Sequence, residues 1–115
     1  FLTIETGASK KVLMNAFENC EFTEAYIVDS HNQLIGKIKV NDLLGKGKEA
    51  ENAPFPMTIS SSMNISDAIV KASNFVGESI PVIDEDKKLL GVVTEADLFS
   101  EYLYIQEVIS KIEKD

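Results

Sequence analysis

Apolar residues along the chain fall into short blocks, and the order of the blocks repeats. A strand-like FLTI comes first. Val12, Leu13, Ala16, Phe17 and Cys20 then recur at helical spacing and predict an amphipathic helix. AYIVDSHNQLIGKIKV follows, two strand-like runs around polar residues 30–33, which is the pattern of a hairpin. The second half opens on PMTI and continues with Ala68, Ile69, Ala72, Phe75 and Val76 at helical spacing, with Ser66 as the predicted N-cap. IPVIDEDKKLLGVVT is a second hairpin, turning at residues 85–88, and a helix follows. Thr94 and Asp97 have the spacing of a capping box, with Asp in place of Glu.

The two halves align without a gap at an offset of 55 residues, which pairs Thr3, Ile4, Asn19 and Asp29 with Thr58, Ile59, Asn74 and Asp84. Leu34, Gly36, Asp42 and Leu43 likewise meet Leu89, Gly91, Asp97 and Leu98. Turn positions and apolar positions coincide together, so each copy is one β-α-β-β-α unit of an α+β fold. One such unit has too few elements to cover its own sheet, and two packed about a pseudo-two-fold axis bury both. The organisation expected is repeat 1 over residues 1–44, a polar linker over 45–55, repeat 2 over 56–100 and a helical extension over 101–115. Gly36 and Gly91 lie inside strands, which points to a bulge or a close backbone approach.

Composition narrows the function more than the fold. The chain has 115 residues, 44% hydrophobic and 26% charged, as a soluble globular domain does. A net charge of −8 argues against nucleic acid or an anionic membrane as the main partner. Cys20 is the only cysteine, which excludes an internal disulfide, and it reads as a small buried hydrophobe; a reducing, cytoplasmic compartment fits. No apolar run reaches the roughly 20 residues of a membrane span. The chain starts at Phe1, directly in a strand-like segment, and reads as a fragment of something longer, such as the cytosolic part of an inner-membrane protein. The single histidine, His31, lies in a turn with no second ligand at metal spacing, and no serine or cysteine has a histidine partner. Catalysis therefore has no positive support.

MTI, a helix, ESIPVID and LLGVVTEADL in the second copy together resemble a CBS domain, and the chain as a whole resembles a tandem CBS pair, or Bateman module. The first copy departs from the pattern, with Tyr26 where the second has Pro81 and Lys39 where it has Thr94, while Asp42 is retained. The resemblance implies a regulatory module, not an enzyme, that requires no cofactor and senses AMP, ADP, ATP or another adenosyl ligand on behalf of an attached enzyme, transporter or channel. GESIPVID and GVVTEADLFSEYL look most like the cytosolic region of a bacterial ClC-type chloride channel or transporter. The alternatives are a structural dimerisation module with empty clefts and the regulatory domain of a metabolic enzyme.

Candidate ligand residues follow from the chemistry of such a ligand. A carboxylate can accept both hydroxyl hydrogens of a ribose diol, so the resemblance assigns that role to Asp97. The same residue at a helix start also serves as a cap, and for Asp42 the two readings stand level. Thr94 can donate to a phosphate or act as an N-cap. Lys39 can pair with a phosphate or sit solvated at a strand end. The resemblance further implies that backbone near Ile80 and near Thr58–Ile59 reads the adenine edge, with Pro81 opening the bordering strand; plain core packing is the other reading. Leu98, Tyr102, Ile105, Ile109 and Ile112 recur four, three, four and three residues apart, the spacing of a heptad seam. That stripe either packs on its own repeat or docks its distal half on a second chain, and a homodimer is expected.

Overall fold

Residues 1–44 and 54–114 are described in the computed structural model, so most of the expected linker lies outside the described residues. The first repeat runs β1 (Leu2–Glu5), α1 (Lys10–Glu18), β2 (Glu24–Val28), β3 (Leu34–Lys39) and α2 (Val40–Leu44). The second runs β4 (Ile59–Ser60), α3 (Ile65–Ala72), β5 (Ile80–Ile83), β6 (Leu89–Val93) and α4 (Glu95–Lys114). Each forms a three-stranded sheet in sequence order. The first two strands of each sheet are parallel and joined through a helix, and the last two are an antiparallel hairpin. The α+β fold with two β-α-β-β-α units is thus as expected.

Side-chain chemistry makes the two copies alike in detail. Asp29 Oδ1 accepts the N–H groups of His31 and Gln33 at 2.8 and 2.9 Å, and Asp84 Oδ1 accepts those of Asp86 and Lys88, both at 2.9 Å. Asn32 and Lys87 complete the turns with φ of 61° and 64°. The hairpin register slips at Ile27/Val28 opposite Gly36 and at Val82/Ile83 opposite Gly91. The interior glycines therefore mark bulges. A close approach is excluded at Gly91, where an added Cβ meets nothing within 4 Å.

Two caps differ from expectation or sharpen it. Asn64, not Ser66, caps α3: its side chain accepts the Asp67 N–H at 2.8 Å, and Ser66 lies inside the helix. Thr94 and Asp97 form the reciprocal box, with Thr94 N–H to Asp97 Oδ2 at 2.9 Å and Asp97 N–H to Thr94 Oγ1 at 3.1 Å. The helix faces are narrower than the apolar spacing suggests. Leu13 and Phe17 are buried on α1 while Val12 is exposed, and Ala68 and Ala72 are buried on α3 while Val76 lies beyond its end and is exposed. Cys20 is half-buried after α1 ends, with its Sγ 3.9 Å from two backbone carbonyls, so it is not a fully buried hydrophobe.

Each repeat has its own core, one around Leu13, Ile27, Ile38 and Leu43 and the other around Ile59, Ala72, Ile80 and Leu98. A third cluster, Tyr26, Val28, Leu34 and Leu89, joins the sheets. There Leu34 N–H bonds Lys87 O at 2.9 Å and Leu89 N–H bonds Asn32 O at 3.0 Å, a pair of contacts related by the pseudo-two-fold. On α4, Leu98 is buried against α3 and Tyr102 and Ile105 are half-buried, whereas Ile109 and Ile112 are 42% and 69% exposed. The helix spans about 30 Å and overruns its own repeat, which gives the molecule its 59 Å long axis.

Candidate ligand-binding cleft

The pseudo-two-fold brings equivalent residues face to face at the start of β2 and just before β5. Ser79 donates its hydroxyl proton to Glu24 Oε1, and the two positions are 55 residues apart. The Tyr26 hydroxyl, 2.6 Å from Ser79 Oγ, is then left to donate to it. Lys37 closes the cluster. Its Nζ lies 3.2 Å from Glu24 Oε2, donates to Ser79 O at 3.0 Å and sits 5.6 Å from the Tyr26 ring centroid. Burial pushes the Tyr26 phenol up to about 12, against the Ser79 hydrogen bond, which lowers it. The second copy has Pro81 and Val92 at the matching positions, so only one side of the axis carries this polar lock.

Beside the lock lie two adjoining clefts of about 210 and 410 Å³, which share Lys39, Glu78 and Ser79. Both repeats build them. Pro56, Met57, Phe75 and Ile80 of the second copy form an apolar wall, and Lys39 and Asp42 of the first copy stand opposite. Lys39 Nζ and Glu78 Oε1 approach to 3.6 Å across the opening, with the two side chains 55% and 44% exposed. Asp42 accepts the Lys39 N–H through Oδ2 at 3.2 Å, which leaves Oδ1 uncommitted. An apolar wall, a carboxylate with a free oxygen and one reachable ammonium can accommodate a flat ring, a diol and an anionic tail respectively.

The residues singled out by sequence divide among three places. Lys39, Asp42 and Ile80 meet in the cleft. Ile59 and Pro81 are buried in the interior, and Thr58 is half-buried next to the cleft-lining Met57. Thr94 and Asp97 line neither cleft and spend their hydrogen bonds on each other. The backbone and side-chain bonds from Thr94 hold the Asp97 carboxyl below the usual carboxylate range. Of Thr94, Asp97, Ile80 and Thr58, only Ile80 lines either of these two clefts. The sequence reading missed Phe75, Glu78, Ser79 and Lys37. The offset held a signal for two of them, because Glu78 and Ser79 match Thr23 and Glu24 of the first copy, which line the second cleft.

Residues 53–104 match the family model of the CBS domain. The second repeat is a CBS domain. No curated protein matches the chain by sequence. Its fold is that of a CBS pair, and solved structures share it at low identity. Staphylococcus aureus OpuCA is 20% identical with a TM-score of 0.72, over 89% of this chain and 91% of that one. CBSX2 in complex with AMP is 22% identical with a TM-score of 0.70, over 90% and 88%; it is a CBS-pair protein of Arabidopsis thaliana. The cytosolic domain of the Mg2+ channel MgtE in complex with ATP is 20% identical with a TM-score of 0.66, over 87% of this chain and 44% of that one. Among the described residues, no helix is long and apolar enough to cross a membrane, and no group of three or more His, Cys, Asp or Glu is placed to hold a metal ion.

Proposed function

We propose that this CBS pair is a regulatory module whose cleft between repeats takes an adenine nucleotide or another adenosyl ligand. The observation that carries the reading is that both copies contribute to one opening, Lys39 and Asp42 from the first and Phe75 and Ile80 from the second. Asp42 Oδ1 receives the ribose hydroxyls, Lys39 faces the phosphate end, and the wall around Phe75 and Ile80 covers the base. A ligand held by both repeats favours one relative arrangement of them by its differential affinity, and the pair transmits that population shift to whatever it is attached to. The AMP and ATP complexes of two structures with this fold support the ligand class. The MgtE structure is the cytosolic domain of a Mg2+ channel, which favours a membrane-protein parent; the chloride-channel reading rests on the second copy's motif alone.

A thermal-shift screen of adenosine, AMP, ADP, ATP and S-adenosylmethionine tests this. Ligand at 100 times its Kd adds about 2.7 kcal/mol, enough to raise Tm by roughly 10 °C in a domain of this size. No shift with any of them supports the structural-module alternative. The exposed stripe of Ile109 and Ile112 favours a second chain on α4, and we assign it to a homodimer contact. Sedimentation of Ile109→Lys with Ile112→Lys, against a dimeric wild type, checks that assignment.

A further inference from the structure

The charges around the cleft determine which adenosyl ligand it takes, given that it takes one at all as proposed above. Among the described cleft residues Lys37 and Lys39 are the cations, and Lys37 is already committed to Glu24 and to the Ser79 carbonyl. Lys39 is thus the one ammonium among the described cleft residues that a phosphate can reach, and it stands 3.6 Å from Glu78. An exposed ion pair of this kind contributes little to stability, so one phosphate displaces Glu78 from Lys39 at small cost. The carboxylate does not leave the opening, however. Glu78 lines both clefts, and Glu24 lies in the adjoining one. Each phosphate after the first therefore meets negative charge with no further cation among the described cleft residues to answer it.

We infer that Glu78 is a specificity residue that occupies the phosphate position of Lys39 and selects a nucleoside monophosphate or an uncharged adenosyl ligand over a triphosphate. The preference arises from repulsion as well as attraction, which is how a shallow site of mixed charge discriminates between ligands that share a base and a sugar. Glu78 is half-exposed, accepts no side-chain hydrogen bond among the described residues and lies outside every core cluster, so its replacement leaves the fold intact.

The test is calorimetric titration of the whole chain with adenosine, AMP and ATP, without added divalent cation and at low and at high salt, for the wild type, Glu78→Gln and Lys39→Met. The wild type binds AMP more tightly than ATP. Glu78→Gln raises ATP affinity relative to AMP affinity on the order of fivefold, and high salt shrinks that gain. Lys39→Met weakens AMP while leaving adenosine unchanged. An unchanged AMP-to-ATP ratio in Glu78→Gln, or a wild type that already prefers ATP, overturns the inference and leaves the ligand class standing. Absence of binding by all three proteins overturns both readings.

Discussion

The second repeat carries the family's sequence signature, yet the first repeat supplies most of the chemistry in the cleft. In the second, the motif residues Thr94 and Asp97 satisfy each other at the start of α4, and Pro81 is sealed in the interior. In the first, the equivalent positions are Lys39, Asp42 and Tyr26. Lys39 and Asp42 face the opening, and Tyr26 anchors the polar lock behind it. The comparison teaches that a copy can lose the recognisable motif while keeping the geometry, because the fold depends on turn and core positions that both copies share. The freed positions then differentiate the two sides of the axis.

The strongest way to break this comparison is at the lock. Tyr26 is 1% exposed and joins the two sheets, so Tyr26→Ala is expected to cost about 3–5 kcal/mol in urea unfolding. Pro81→Ala at the matching position removes less volume and should cost on the order of 1 kcal/mol. Equal costs would show that the two sides are not differentiated. Tyr26→Phe keeps the packing and loses the bond to Ser79, for about 1 kcal/mol.

A smaller effect separates the two helix starts. Asp97→Ala removes half of a reciprocal cap and should lower the unfolding midpoint, while the one-sided bond at Asp42 should matter less. Unfolding midpoints of the two variants at one pH decide this.

The smallest effect is on pH. Asp29 and Asp97 are held below their ordinary value, Asp29 first of all by the Gln33 N–H and Asp97 by the Thr94 N–H. Their contribution is complete above the ordinary carboxylate range near 4 and fades as the pH falls through their lowered values. The Tyr26 phenol acts at the other end. Its value of about 12 means the unfolded chain ionises first, so stability falls as pH rises from about 10 toward 12. Tyr26→Phe should remove the alkaline loss, and Asp97→Asn should shrink the acid one.

Most of the fold was legible because it rests on local rules. The turns at Asp29 and Asp84, the bulges opposite Gly36 and Gly91 and the Thr94–Asp97 box are all set by residues close in the chain. The site was less legible because it is assembled across the axis. Ile80 and Thr94 stand close in sequence and look like one site, but the partner of Ile80 in the cleft is Lys39, from the other copy. The role of Glu78 follows from pairing with Lys39 of the other copy, and that of Lys37 from its reach to the Ser79 carbonyl, neither of which any spacing within one repeat encodes. The Asn64 cap was missed for a local reason, since Asn and Ser two positions apart are both good caps and only the helix start distinguishes them.

The proposed site gives the ligand to the first copy's carboxylate, Asp42, and not to the second's, Asp97. Calorimetric titration of AMP into Asp42→Ala and Asp97→Ala tests it most directly. Loss of a charge-assisted pair of hydrogen bonds should weaken binding by Asp42→Ala by about 1.5–3 kcal/mol, while Asp97→Ala, folded and compared at the same temperature, binds as the wild type does. Normal affinity in Asp42→Ala with loss of binding in Asp97→Ala would contradict the account and move the site to the other side of the axis.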